Sequence, residues 1–318
     1  MKIPENLLAF LRKEEQFFIA THISPEADAL GSSIALAMAL ESLGKKTIVY
    51  DKDPIPEFYK FLPGLERFTN SISNLQPSTF NLILVDCNEP ERAELGKTGF
   101  TFSAVIDHHE TEREFGDIRW VVPQAPAAGL MIFYLIKELG VRITKEIATN
   151  LYSAIAIDTG TFRYSNTTPE ALRIAAELIE AGADPSFIAG NLYEEWSENR
   201  FRLLLKVLNT VEINDNVAIA TITLDMFRET GAAVADTENF PGFMRMLKSI
   251  KVSALFREIE NNYYKVSLRS KGKISVAKVA VMFGGGGHRN AAGYRIRADI
   301  KAAKEKLLKA IRTLPILP

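Results

Sequence analysis

A two-part α/β fold is the expectation for this 318-residue chain: a parallel-sheet α/β core in the N-terminal domain, joined by a helical linker to a smaller α/β C-terminal domain. Three observations predict it. Over the first part, short apolar runs alternate with helical patterns. After Asn214-Asp215-Asn216 the pattern changes to strands. The charge also divides, with residues 245–318 carrying 17 Lys and Arg against 4 Asp and Glu, a balance of +13, and residues 1–244 carrying −14. The expected boundaries are a first domain over 1–190, the linker over 191–212 and a second domain over 213–318.

Phe17-Phe-Ile-Ala-Thr21, Lys46-Thr-Ile-Val-Tyr50, Leu82-Ile-Leu-Val85 and Ala104-Val-Ile106 read as buried strands bounded by polar or turn residues. Between the first two, Leu30 to Leu43 is apolar around nearly its whole circumference and is stopped by Gly44. It is expected to be a helix packed on both sides. Strand, helix, strand in this order implies parallel pairing. Ala128 to Leu139 and Lys145 to Ile157 read as two helices, with Asp158 at the end of the second. Thr168-Pro169-Glu170 opens another with a capping Thr and Pro in the first turn, and Asp184-Pro185 repeats that signal for the segment through Leu192. Trp196 to Val211 is expected to be the connecting helix, followed by strands at Val217–Ile222, Val252–Phe256 and Tyr263–Leu268.

The composition excludes several classes. The single cysteine, Cys87, rules out an internal disulfide framework, and it reads as a small buried residue. The first residues lack the apolar core of a secretory signal, and apolar stretches stop short of the roughly 20 residues a membrane span needs. The reading is cytoplasmic, with no membrane partner. An acidic first part and a basic second part suggest cations bound by one and an anionic substrate met by the other. Basic faces are also often merely solvated.

Chemistry-bearing residues recur at the C-terminal ends of the expected strands, where open parallel sheets place their ligand crevice. The first strand leads into His22-Ile-Ser-Pro25-Glu26-Ala-Asp28, the third into Asp86, the fourth into Asp107-His108-His109, and the helix ending near Ile157 delivers Asp158. One carboxylate after a strand is more often a helix cap than a ligand, and a His-His pair arises by chance. The set says more. The chain has only four histidines, and His22, His108, His109 and His288 all lie in these loops or in the glycine-rich one. Imidazole and carboxylate donors without thiolates suit Mn²⁺ first, with Mg²⁺, Co²⁺ or Zn²⁺ as alternatives. Six donors are too many for one open catalytic ion and about right for two divalent metal ions that share a carboxylate and a hydroxide.

Asp107-His108-His109 after an apolar strand, with His22-x-x-Pro25-x-x-Asp28 upstream, resembles the DHH phosphoesterase superfamily. Asp158-Thr-Gly-Thr-Phe-Arg163-Tyr-Ser-Asn-Thr-Thr-Pro169 is similar to its nano-RNase branch, and Ser267-Leu-Arg269-Ser270-Lys271 with Gly284-Gly285-Gly286-Gly287-His288-Arg289 resembles the DHH-associated C-terminal domain. The resemblance implies one metal held by His22, Glu26 and Asp86, and a second held by Asp28, Asp86, His108 and Asp158, with Asp86 bridging. It further implies a supporting role for Asp107, and phosphate contact or proton transfer by His109. At position 26 the family usually has Asp, and the extra methylene of Glu26 moves its oxygen by more than about 1 Å unless the loop adjusts.

In the C-terminal part the glycine run Gly285, Gly286, Gly287 is expected to bare N–H groups as an anion nest. His288, Arg289, Arg269 and Ser270 are expected around the substrate, with Arg257 a weaker candidate because Glu258 can pair with it. Tyr193 and Trp196 read as helix packing. The resemblance implies hydrolysis of two- to five-nucleotide RNAs and of 3′-phosphoadenosine 5′-phosphate. No long-polymer nucleic acid is expected, since the chain has no long basic-aromatic tract. The resemblance also admits a homodimer, since relatives of this kind can pair through helices of the first domain. The competing readings are a cyclic or linear dinucleotide phosphodiesterase, an inorganic pyrophosphatase, and a non-catalytic nucleotide-binding relative degraded at Glu26.

Overall fold

The structure, a computed structural model, describes residues 1–73, 76–96, 99–109 and 114–314, without the side chain of His288. Two compact units divide between Glu195 and Trp196.

The first unit opens with α1 (Glu5–Lys13), β1 (Gln16–Ala20), α2 (Ala27–Ser42), β2 (Lys46–Tyr50), β3 (Phe68–Thr69), β4 (Asn81–Val85), β5 (Ser103–Asp107) and β6 (Ile118–Val121). Helices α3 (Ala128–Glu138), α4 (Lys145–Asp158), α5 (Pro169–Glu180) and α6 (Pro185–Ala189) complete it. The parallel sheet has the order β3-β2-β1-β4-β5-β6, as the strand-helix-strand pattern required. Alternate residues of its central strands feed two separate cores. Phe17, Ile19, Ile83 and Ile106 pack under the helices, while Phe18, Leu82, Leu84 and Val105 pack under Tyr50 and the loop residues Ala93 and Leu95. A strand buried on both faces has no polar alternation, which is why β4 reads Asn81-Leu-Ile-Leu-Val85. The strand order reverses between β1 and β4, and the loops that follow those two strands flank this switch point.

Local signals explain the helix ends. Gly44, at φ +82, lets its own N–H reach Glu41 O and that of Lys45 reach Leu40 O, closing α2. The Thr168 hydroxyl accepts from Ala171 N, and the Asp184 carboxylate accepts from Ser186 N and Phe187 N. α2 is buried on nearly every side, and at Gly31 it approaches the backbone of α4 so closely that a Cβ would stand 2.4 Å from Asn150 O. Gly31→Ala is therefore expected to destabilise the unit by about 1–3 kcal/mol. The check is a lower urea midpoint at unchanged m.

The second unit contains α7 (Glu198–Leu208), β7 (Glu212–Asn214), β8 (Val217–Ile222), α8 (Leu224–Thr230), α9 (Phe240–Met244), β9 (Val252–Glu260), β10 (Tyr263–Ser270), α10 (Val276–Met282), β11 (Gly286–His288), β12 (Ala291–Arg297) and α11 (Ile300–Arg312). Its sheet runs β11-β12-β10-β9-β8-β7, parallel only between β8 and β9. One face packs on α10 and α11 through Phe256, Val266, Leu268, Tyr294 and Leu307. Over β8 and the first half of β9 the other face packs on α7 and α9 through Leu203, Leu204, Phe240 and Leu255. α7, expected to connect the domains, thus contributes core residues to the second unit, while the short π-helical turn Gly190–Glu194 before it lies in the first. Among the described residues no helix is long and apolar enough to cross a membrane.

Candidate metal centre

The ends of β1, β4 and β5 and the end of α4 bring five of the expected donors together. His108 Nε2 lies 3.3 Å from Asp28 Oδ2, 3.2 Å from Asp86 Oδ1 and 3.3 Å from Asp158 Oδ2. The two oxygens of Asp86 face different histidines: Oδ1 turns to His108, and Oδ2 stands 3.4 Å from His22 Nε2. Asp28, His108 and Asp158 form one group whose ligand atoms lie within 4.8 Å of one another, and Asp86, His108 and His109 form a second.

Each donor is held from behind. His108 Nδ1 lies 3.0 Å from Ala125 O, and His22 Nδ1 lies 3.0 Å from Ile23 O. A carbonyl can only accept, so both rings carry a proton on Nδ1 and turn Nε2 to the carboxylates, the nitrogen that a metal ion takes once its own proton leaves. Asp28 sits in the first turn of α2 against the N-terminus of α3. Its Oδ2 accepts from Ala128 N at 2.7 Å, and its Oδ1 accepts from Gly129 N at 2.8 Å and Ser32 Oγ at 2.9 Å. Three of its four lone-pair sites are thereby used, and the helix dipole favours its charge. Asp86 follows β4 with φ +55, a left-handed conformation that Asp tolerates better than most residues, while its N–H stays in the ladder to Ile106 O. Asp158 ends α4, with its carbonyl held by Asn166 Nδ2 at 3.0 Å. The turn after it, Gly160-Thr161-Phe162, is left-handed at all three residues.

Behind this group Asp107, fully buried, accepts from His109 Nδ1 at 2.7 Å. The bond orients the imidazole and leaves Nε2 as its reacting nitrogen. Glu26 caps the start of α2 without a side-chain hydrogen bond and belongs to neither cluster. Its charge nonetheless helps to raise the Asp158 carboxyl.

Protonation shows how crowded the site is. Burial, and then the charge of Asp28, push Asp158 well above the usual carboxylate range, and burial with the Asp86 charge raises Asp28. Burial opposes ionisation of Asp86 too, but hydrogen bonds from His108 and His22 win and hold it well below that range. Burial would lower His108, yet Asp28 and Asp86 carry it well above an ordinary histidine. Three carboxylates, Asp28 and Asp86 buried and Asp158 partly so, competing for the protons of adjacent imidazoles is the condition a divalent cation relieves. Asp86 Oδ1 is buried without an aligned hydrogen bond, so the donor set fits such an ion.

Of the expected substrate residues, Arg269 lies on β10 with Nη1 donating to Leu268 O at 3.1 Å, Arg257 lies half-buried on β9, and Arg289 follows β11. The His288 side chain lies outside the described residues. Two expectations change. Ser270 is buried, donates to Ile274 O at 2.6 Å and accepts from Asn290 Nδ2 at 2.8 Å, so it ties the loop together and does not face a ligand. The N–H of Gly285 is not bared for a nest. The N–H groups of Gly284 and Gly285 donate to Val281 O and Ala280 O, and Gly286–His288 pair with β12. Glycine is required there by close approach, since a Cβ on Gly285 would stand 2.1 Å from Gly293 O.

Residues that the expected set lacks also shape the site. Ser32 is i+4 from Asp28 on α2, a spacing that signals the bond it makes. Arg92 gives its carbonyl to Ile23 N at 2.8 Å and acts electrostatically on His22 and Cys87. Burial pushes the Cys87 thiol up to about 12, an inert group.

Residues 16–155 match the model for the DHH family, N-terminal domain, and residues 214–314 match the DHHA1 domain. The bifunctional oligoribonuclease and PAP phosphatase NrnA of Thermus thermophilus is 38% identical over 300 residues, 94% of this chain and 90% of that one. The protein of the same name from Bacillus subtilis is 28% identical over 92% of each chain. Among solved structures, an exopolyphosphatase-related protein from Bacteroides fragilis superposes with a TM-score of 0.86 at 27% identity, covering 97% of this chain and 95% of its own. With both domain models matched and a relative 38% identical over 94% of its length, the chain belongs to the DHH family, with a DHHA1 domain in its second unit.

Proposed function

We propose that this chain is a phosphoesterase that hydrolyses short oligoribonucleotides and removes the 3′ phosphate of 3′-phosphoadenosine 5′-phosphate, using two divalent ions, Mn²⁺ foremost, in the cytoplasm. The names of its relatives support the substrates. The observation that carries the reading is the convergence of Asp28, Asp86 and Asp158 on His108, with His22 on the far oxygen of Asp86. His22 and Asp86, with Glu26 beside them, would hold one ion, and Asp28, Asp86, His108 and Asp158 the other, each Asp86 oxygen serving one side. When bound, such a pair supplies Lewis acidity, making water nucleophilic near neutral pH and offsetting phosphoryl charge.

The chain's own groups do the rest. Asp107 fixes the His109 ring so that Nε2 can hold a phosphate oxygen or deliver a proton to the leaving oxygen. Ser32 and the α3 N-terminus orient Asp28, and the Gly129 N–H partly offsets the burial that raises its carboxyl. Arg269 and Arg289 supply cations for the nucleotide's other phosphates.

The test is a titration of chelator-stripped protein with Mn²⁺, Mg²⁺, Co²⁺ and Zn²⁺ against a diribonucleotide, 3′-phosphoadenosine 5′-phosphate and pyrophosphate. Mononucleotides and 5′-AMP are expected to appear only with metal, at rates at least ~100-fold above the stripped protein. Orthophosphate from pyrophosphate alone, or no mononucleotide with any ion, would refute the reading.

A further inference from the structure

One cation at the metal centre has no task in the proposed chemistry. Arg92 lies in the loop after β4, which the buried Cys87, Ala93 and Leu95 anchor to the core. Its N–H donates to Glu89 O at 3.1 Å, and its carbonyl accepts from Ile23 N at 2.8 Å. Ile23 adjoins His22, so this bond ties the loop after β4 to the loop after β1 across the switch point of the sheet. The backbone is thereby fixed. The side chain is partly exposed and, among the described residues, makes no hydrogen bond or ion pair. Its charge falls on the site. At His22 burial opposes protonation and the Asp86 hydrogen bond favours it, and Arg92 opposes it more than the bare Asp86 charge favours it. At Cys87, directly after Asp86, burial raises the thiol and Arg92 is the largest influence that lowers it. The guanidinium thus stands on the His22–Asp86 side of the centre. Its neighbour Glu94, left-handed at φ +48, acts on Tyr50 and Asp51. Standing there, Arg92 repels a divalent ion at His22 as it repels the ring's proton. The arrangement is relieved when an anion lies between the two, and a phosphate oxygen held by metal and guanidinium together is such an anion.

We propose that Arg92 grips the reacting phosphate on the His22 side of the centre and favours a terminal phosphomonoester over a phosphodiester. This rests on the reading of the chain as a phosphoesterase with two kinds of substrate, and names the residue that weighs one against the other. A phosphomonoester carries about 1.5–2 negative charges near neutral pH and three free oxygens. A diester carries one charge and two free oxygens. Two oxygens can face the ions, and the third, present only in the monoester, is the one left for Arg92.

The experiment compares wild-type protein with Arg92→Ala and Arg92→Lys, using Arg142→Ala as the control. Arg142 is exposed just past α3, whose 11 residues put it roughly 16 Å from the helix N-terminus that holds Asp28. The substrates are 3′-phosphoadenosine 5′-phosphate and 5′-phosphorylated diadenylate, which share a 5′ phosphate and differ at the reacting group. In Arg92→Ala the ratio of kcat/KM for the monoester to that for the diester is expected to fall about tenfold. Lys, which keeps the charge without the planar fork, should recover part of it. Affinity for inorganic phosphate at saturating Mn²⁺ should also fall about tenfold. Affinity for Mn²⁺ without phosphate should stay equal or tighten, because a like charge has gone. The control should change none of these. A merely structural role would loosen Mn²⁺ and slow both substrates alike, and that outcome overturns the proposal. So does an unchanged ratio with unchanged phosphate affinity. Should the wild type hydrolyse neither substrate, the phosphoesterase reading fails by itself, and the phosphate titration still decides whether Arg92 binds phosphate.

Discussion

Asp86→Asn is expected to lower turnover of a diribonucleotide by about a thousandfold or more, some 4 kcal/mol of barrier, while the protein stays folded. Asn is the informative replacement because position 86 has φ +55, where Asn is tolerated and Ala would add backbone strain. The substitution removes the one carboxylate whose two oxygens face different histidines, His22 and His108. An amide offers one oxygen and turns two N–H donors towards whichever ring it meets, so it cannot serve both sides. Metal content should drop from two ions per chain to one or fewer. In the metal-free protein the loss of His108 and His22 as partners is offset by relief of Asp28 and Asp158, both raised in part by the Asp86 charge. The measurements are kcat at saturating Mn²⁺, metal content after gel filtration, and the far-ultraviolet circular dichroism melt. A variant that keeps a tenth of the rate, or both ions, shows that Asp86 is not shared.

The first unit was legible because its strands are buried on both faces and end in polar residues. Apolar runs such as Leu82–Val85 and the donors just after them announce a parallel sheet and its crevice together. The packing of α2 on both sides and its stop at Gly44 could likewise be read from residue type. Other features could not. The left-handed φ of Asp86 follows from the ladder to Ile106, a tertiary constraint with no local signature. The glycine run suggested bared N–H groups, whereas the end of α10 takes those of Gly284 and Gly285, and the close approach of Gly293 to Gly285 and of Ala291 and Ala292 to Gly287 explains the missing side chains there. Ser270 looked available until Ile274 and Asn290 closed around it. β6 is four residues long and owes its place to pairing with β5. α11 did carry a signal, an Asp299 cap followed by Ala303, Leu307, Ala310 and Ile311 on one face.

Asp51→Asn is expected to stabilise the metal-free protein by about 2–3 kcal/mol at pH 8 and by close to nothing at pH 5. Asp51 follows β2, is fully buried, and accepts from Asp53 N at 2.8 Å through Oδ1, while Oδ2 has no partner. Burial, only partly countered by that N–H, pushes its carboxyl from 3.8 up to about 7. The folded state therefore holds a proton that the unfolded chain releases. Below pH 3.8 both states are protonated and Asp51 costs nothing through linkage. As pH rises through the interval to about 7, stability falls by roughly 1.4 kcal/mol per unit, and above it the full loss of about 4 kcal/mol is in place. Asn is neutral throughout and keeps the acceptor for Asp53, but it places an unpartnered amide where Oδ2 was, at a cost of about 1–2 kcal/mol. That cost nearly cancels the gain at pH 5 and leaves a net gain at pH 8. Urea unfolding of both proteins in chelator at the two pH values measures the difference. Equal stabilities at pH 8 would mean that the Asp51 carboxylate ionises near its ordinary value, and hence that water or an ion reaches Oδ2 in the folded protein.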